Sequence, residues 1–413
     1  MKAKAVNFFS AIKYQLITFF ILAAQAIFVM DPLYFRGVGE YMTVYYLVDL
    51  SMLKSSRTWV GTIVSLLTDH PTQAWINGFA VVILFIAIFI ASFLVGKIIK
   101  NVEDGIRPQA IVAALFLVTG TFTFHTFSRH LGFLDIHLFI IALVSVVFLN
   151  NKILRWFVPA LCVAGFLTHQ MFAVMYFPLV ILVALYLMLC TKDGRFSKSA
   201  VFVVSAAVLA TVTIWGLSNG PDTNIYTPEQ MLEIIEAKGM RTYSKEAFEN
   251  MRWQFFYIPT SDVADIYPLE ELENYSLWEY VLGWLKYTNV VRGFSVNDFL
   301  SIFSFVGAFS LALWSIWIMC IRNTESKLKK FVFVCFMLAV LAAPVGCIIA
   351  VDYIRWCQAA VLCQFGFLFF MFYIKDEAFR QTMAQLGAFF KDKKMLLVIA
   401  FLVYIMTVQY DLG

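Results

Sequence analysis

Between two apolar runs the chain carries Ser128-Arg-His-Leu-Gly-Phe-Leu-Asp-Ile-His137, a knot of ionisable side chains at the mouth of a hydrophobic segment. Charge at the edge of such a segment is costly to keep from water, so the default reading is a site. Arg129 and His130 suit a phosphate bound through charge-assisted hydrogen bonds, with Asp135 orienting one of them. The competing reading is a set of salt bridges that ties two helices together. Asp135 and His137 make a weak metal signal, because side chains two apart on a helix diverge.

Three more stretches carry candidate chemistry. Asp31 follows the first apolar run and precedes Pro32, which fixes how the chain leaves the helix. Its carboxylate suits a general base that takes a proton from a hydroxyl acceptor, or is a plain helix-end carboxylate. Glu40 and Asp49 compete for that role, and no adjacent acidic pair stands there to hold a divalent metal. His169, inside Leu167-Thr-His-Gln-Met-Phe-Ala-Val-Met-Tyr-Phe-Pro178, suits a site wall, or packs as a hydrogen-bonded core histidine. In Val351-Asp-Tyr-Ile-Arg-Trp356, Asp352 and Arg355 share a helix face and can pair. An arginine at the lip of a cavity is also what a lipid-linked phosphate needs. No P-loop, dinucleotide glycine pattern, HExxH or serine elbow is present.

The elements that must position these residues are membrane helices. With 61% hydrophobic residues and 14% charged, the 413-residue chain reads as an all-α polytopic membrane protein in a single integral domain, 1–413. Its apolar runs are continuous rather than alternating, which implies helices and excludes a barrel. A net charge of +4 concentrated at loop ends argues for topology signals and against a nucleic-acid surface. None of the 7 cysteines shows metal-ligand spacing, and a disulfide framework is not expected. The first span, preceded by Lys2, Lys4 and Lys13 and lacking a small-residue cleavage site after it, is expected to be retained.

About eleven spans are expected, near 14–30, 75–98, 109–126, 135–149, 153–168, 171–190, 198–216, 299–320, 331–350, 357–374 and 395–410. With a cytoplasmic N-terminus, most of the 31 Lys and Arg fall in short inside segments and most of the 27 acidic residues fall outside. That orientation brings His70, His125, His130, His137 and His169 to the outer face, together with Asp31, Arg129, Asp135, Asp352 and Arg355. Two outer loops are long. The first, 31–74, holds the segments 41–53 and 58–67, which read as helices lying in the interface. The second, 217–298, opens on a turn, and Thr227-Pro-Glu-Gln230 predicts a capping box with a helix ending near Gly239.

This layout resembles the GT-C superfamily of integral membrane glycosyltransferases. The Gly132-Phe-Leu-Asp135 opening of the fourth span and the Asp352-Tyr-Ile-Arg-Trp356 element are similar to patterns in membrane proteins of bacterial surface-polysaccharide loci, including phage-type serotype-converting glucosyltransferases. The resemblance implies a polyprenyl-phosphate-sugar donor, a glycan or lipid-linked acceptor, and membrane lipids around an active site facing out of the cytoplasmic membrane. It places the catalytic carboxylate on Asp31, with Glu40 or Asp49 as substitutes and Asp135 as a further acid. Arg129, His130, His137, His169, Asp352 and Arg355 become substrate-binding residues. No cofactor is implied, and the missing acidic pair argues against a metal-dependent donor site and for a monophosphate donor.

Two other classes fit parts of the pattern. A surface-polysaccharide polymerase or ligase would use outer Arg and His on a diphosphate-linked glycan, making Arg355 and His169 essential and Asp31 dispensable. A lipid-linked sugar flippase or transporter would show inverted repeats and midplane charges, whereas this sequence shows neither.

Overall fold

A computed structural model of the protein describes residues 2–31, 37–53, 56–191, 226–237, 296–343 and 353–407. The described residues fold mainly into helices, with no strand among them. Four helical stretches are long and apolar enough to cross a membrane: Ile12–Met30, Gln73–Asn101, Arg107–Arg129 and Ile354–Ile374. They belong to α1 (Lys2–Met30), α3 (Gln73–Asn101), α4 (Arg107–Thr119) with its continuation, and α11 (Tyr353–Ile374). At 29 residues α3 is roughly 43 Å long, enough to pass the ~30 Å hydrocarbon core.

Shorter apolar helices fill the space between them. They are α5 (Asp135–Leu149), α6 (Val158–Thr168), α7 (Phe177–Cys190) and the described apolar part of α9 (Val296–Arg322), followed by α10 (Lys327–Ala339). The span expected at 171–190 is divided: Phe172–Met175 forms a separate turn and α7 begins at Phe177, with Pro178 in its first turn where the missing N–H costs nothing. The expected span 198–216 and most of the loop 217–298 lie outside the described residues. Within that loop α8 (Pro228–Ala237) carries the expected capping box: the Thr227 N–H donates to Gln230 Oε1 (2.9 Å) and the Gln230 N–H donates to Thr227 Oγ1 (3.3 Å). An amphipathic helix α12 (Glu377–Lys391) and the apolar α13 (Lys394–Thr407) end the described chain.

The third long stretch is broken rather than continuous. After Gly120 the backbone leaves helical geometry at Phe122 and Thr123. A break in apolar surroundings must re-satisfy the freed backbone groups. Here the Thr123 hydroxyl reaches the carbonyls of Leu117 (2.8 Å) and Gly120 (2.6 Å), and Gln358 Nε2 of α11 donates to the Thr123 carbonyl (2.7 Å). The break re-aims the chain so that 126–134 fold over the start of α5 rather than continuing outward.

Polar contacts brace the two ends of the bundle, and buried glutamines of α11 make a few more between them, with Gln364 accepting from Trp317 Nε1 (2.9 Å) and donating to the Phe336 carbonyl (2.7 Å). At one end Tyr46 donates to the Gly132 carbonyl (3.0 Å), the Val38 N–H donates to Asn77 Oδ1 (2.9 Å), and Ser56 donates to Gln170 Oε1 (2.7 Å). At the other, Arg380 meets Glu103 (3.0 Å), Gln109 donates to the Met383 carbonyl (3.1 Å), and Lys329 meets Asp376 (2.5 Å).

The first loop is packed down on the first end by a close backbone approach. Helix α2 (Trp59–Leu67) crosses the 44–48 turn at Gly61, where a Cβ would sit 1.9 Å from the Val48 carbonyl oxygen. No rotamer relieves a clash with backbone, so Gly61→Ala is expected to lift α2 off this turn at a cost of about 1–3 kcal/mol. Limited proteolysis should then cut within 48–58 faster than in the parent; unchanged cutting would show that the turn yields.

Candidate functional site

The first end of the bundle gathers the N-terminus of α5, the C-terminus of α6, the N-terminus of α7, the N-terminus of α11 and the loop that precedes α2. Asp135 opens α5, where a helix N-terminus favours a carboxylate. Arg355, in the first turn of α11, grips it with two bonds, Nε to Oδ2 at 2.5 Å and Nη2 to Oδ1 at 2.7 Å. The Phe133 ring lies 4.2 Å beneath the guanidinium, so the arginine is stacked as well as paired. Both groups are largely withdrawn from solvent, with side-chain exposures of 14% for Arg355 and 2% for Asp135.

His169 caps α6 and is buried. Its Nδ1 accepts from the Met171 N–H (3.1 Å), which leaves the ring proton on Nε2. Burial holds the imidazole well below its usual range, and the cationic Arg57 and Arg355 push the same way. His169 is therefore a neutral donor at physiological pH, flanked by two arginines. Arg57 is buried at a left-handed φ of 75°, and its N–H donates to the Leu167 carbonyl (2.8 Å), which ties the first loop to the end of α6.

A buried hydroxyl at this end lacks a hydrogen-bond partner among the described residues. Tyr176 is fully buried between α6 and α7, its ring 5.7 Å from Phe139, and its hydroxyl has no hydrogen-bond partner. It lies within electrostatic reach of both Asp135 and Arg355. Buried donors are nearly always paired in a finished fold, so an orphaned hydroxyl beside a charge cluster marks this end as a candidate polar site.

The other sequence-derived candidates are placed less centrally. Asp31 sits just past α1 at a left-handed φ of 43° and is exposed. Glu40 opens the short helix Glu40–Thr43. Asp49 turns back on its own loop and accepts from the Ser51 N–H (2.8 Å) and the Ser51 hydroxyl. Arg129 is exposed at the end of the helix Thr126–Arg129, and His130 packs edge-on against Phe133 (5.5 Å). His137 lies one turn into α5 between Tyr46 (6.3 Å) and Phe79 (6.5 Å), with a buried Nε2 that has no partner among the described residues. Asp352 lies outside the described residues; among the described carboxylates, Arg355 engages Asp135.

The structure thus unites Asp135, His169 and Arg355, which the sequence offered as three separate stretches, and adds Arg57 and Tyr176. Arg57 carried no signal beyond being a loop charge. Tyr176 was legible only as one of the aromatics after His169. No group of three or more His, Cys, Asp or Glu able to hold a metal forms among the described residues. Set against protein-family models, curated proteins and solved structures, the chain matches none.

Proposed function

We propose that the protein is a membrane glycosyltransferase of the GT-C kind, moving a sugar from a polyprenyl-phosphate-linked donor to a glycan or lipid-linked acceptor at the outer face of the cytoplasmic membrane. The observation that carries this reading is the pair of arginines, the buried Arg57 and the largely withdrawn Arg355, acting on a neutral His169 beside the unsatisfied Tyr176 hydroxyl. Guanidinium groups, an imidazole N–H and a phenol together suit a phosphate: they supply charge and directional donors where a leaving lipid phosphate develops charge.

In the proposed reaction an acceptor hydroxyl attacks the anomeric carbon while the bond from that carbon to the lipid phosphate breaks. Asp31 takes the hydroxyl proton. Arg355 meets the departing phosphate, aided by Arg57 and, from the rim, by Arg129 or His130. Asp135 holds the Arg355 fork in place and is not itself the base, because its carboxylate is committed to that arginine. Glu40 is the alternative base within the first loop.

The exposed setting of Asp31, apart from the buried cluster, favours a second reading within the same chemistry. A polysaccharide polymerase or ligase would act through Arg355 and His169 with no carboxylate base. Asp31→Asn separates the two: general-base loss is expected to slow transfer by about 10²–10⁴-fold with donor binding retained. Transfer by the purified protein, given a polyprenyl-phosphate sugar and an acceptor in detergent, is the test. An unaffected Asp31→Asn enzyme moves the weight to the second reading. No transfer by the parent protein, with lipid-linked sugar crossing sealed vesicles instead, replaces both with a flippase.

A further inference from the structure

A cavity of about 150 Å³ lies between α3, α5 and α11, away from the arginine cluster. Its walls are hydrocarbon and aromatic, with Leu143 and Val146 on one side and Phe365 and Phe369 on another. Polar side chains line it only at one end, where Lys97, Asn150 and Tyr373 converge. Those three stand at the C-terminal ends of α3, α5 and α11, so the mouth belongs to the end of the bundle opposite Arg355.

The charges at that end of the bundle are differently occupied. Arg107 bonds the terminal carbonyls of α3, at Ile99 (3.2 Å) and Val102 (3.0 Å), and pairs with Asp104 (2.5 Å). Asn150 Nδ2 donates to the Val146 carbonyl (2.8 Å) and so caps its own helix. Lys97 makes no ion pair among the described residues, and no acidic side chain lines the cavity. Snorkelling alone explains a lysine near a helix end. It does not explain a cavity that is apolar along its length and cationic at its mouth.

We infer that this crevice is a binding site for an anionic phospholipid of the cytoplasmic leaflet, with one acyl chain between α3, α5 and α11 and the phosphate at Lys97. A chain alone would be satisfied by the walls, and a free phosphate would find one exposed lysine. Only an amphipathic anion uses both parts. The inference rests on the membrane placement of the helices and not on glycosyl transfer.

Native mass spectrometry of the full chain, delipidated and then titrated with phosphatidylglycerol or phosphatidylcholine, tests it. The parent should retain phosphatidylglycerol about fivefold better, the ratio given by roughly 1 kcal/mol for one lysine at an anionic surface. Lys97→Ala should abolish that preference while keeping some binding of both lipids. Val146→Trp, which fills the crevice, should remove the retained lipid, and Leu94→Trp, which fills it from α3, repeats the test should the first variant not fold. Excess inorganic phosphate should not displace the lipid. Equal retention by the parent and by either filled variant would overturn the site, as would an unchanged lipid preference in Lys97→Ala.

Discussion

Asp135→Ala is expected to lower stability by about 3–5 kcal/mol and to abolish sugar transfer by the molecules that remain folded. The magnitude follows from burial. With Arg355 only 14% exposed and stacked on Phe133, removing the Asp135 carboxylate takes both prongs of its grip from a guanidinium largely withdrawn from water. Arg355→Lys is not conservative here, since an ammonium replaces neither the two-pronged bond nor the ring contact. The informative variant is the double one, Asp135→Leu with Arg355→Leu. An apolar pair of similar volume removes both desolvated charges at once, so thermal unfolding in detergent should recover much of the single-mutant loss. Transfer per folded molecule should stay absent. A stable double variant that still transfers sugar at the parent rate would take this pair out of the site and leave it as a structural brace.

How far the sequence reached depended on the range of the interaction. The long apolar runs announced α1, α3 and α11 because a helix of membrane length needs nothing beyond its own composition. The capping box at Thr227–Gln230 was legible for the same reason: both partners lie within three residues. Arg355 shows where local reading stops. Spacing along one helix offered Asp352 as its partner, a residue outside those described, and gave no sign of the grip that comes from Asp135, 220 positions earlier in the chain. The break after Gly120 was hidden because its repair group, Gln358, lies on another helix. Arg57 is tied to the end of α6 through the Leu167 carbonyl, a contact 110 positions apart that no periodicity encodes. Short helices such as α5 were legible in place from their apolar runs. Their flanking turns fold inward to present Asp135 and Phe133, so the apolar run alone does not reveal how the segment is used.

Asp376→Ala is expected to match Asp135→Ala in lost stability while leaving transfer per folded molecule at the parent level. Asp376 joins three elements at the opposite end of the bundle. Its Oδ1 accepts from the Phe379 N–H (3.0 Å) and caps α12, and its Oδ2 accepts from the Tyr186 hydroxyl (2.6 Å) of α7 and from Lys329 Nζ (2.5 Å) of α10. The side chain is 1% exposed, so each lost bond is one that water cannot easily replace. The cap contributes about 1 kcal/mol and the stranded Tyr186 hydroxyl about 1–3. Lys329, at 22% exposure, can swing partly into solvent, which limits its share and brings the total to about 3–5 kcal/mol. Asp376→Asn should cost less, because the amide oxygen can still accept from Phe379 or Tyr186. Thermal unfolding of both variants beside the Asp135 series, with transfer scaled to the folded fraction, makes the two ends each other's control. Equal destabilisation with transfer lost only at Asp135 ties the chemistry to the arginine cluster. Transfer lost equally at Asp376, in protein that is still folded, would mean that the reaction does not belong to one end of the bundle. The cluster of Arg57, His169 and Arg355 would then have to be read as architecture.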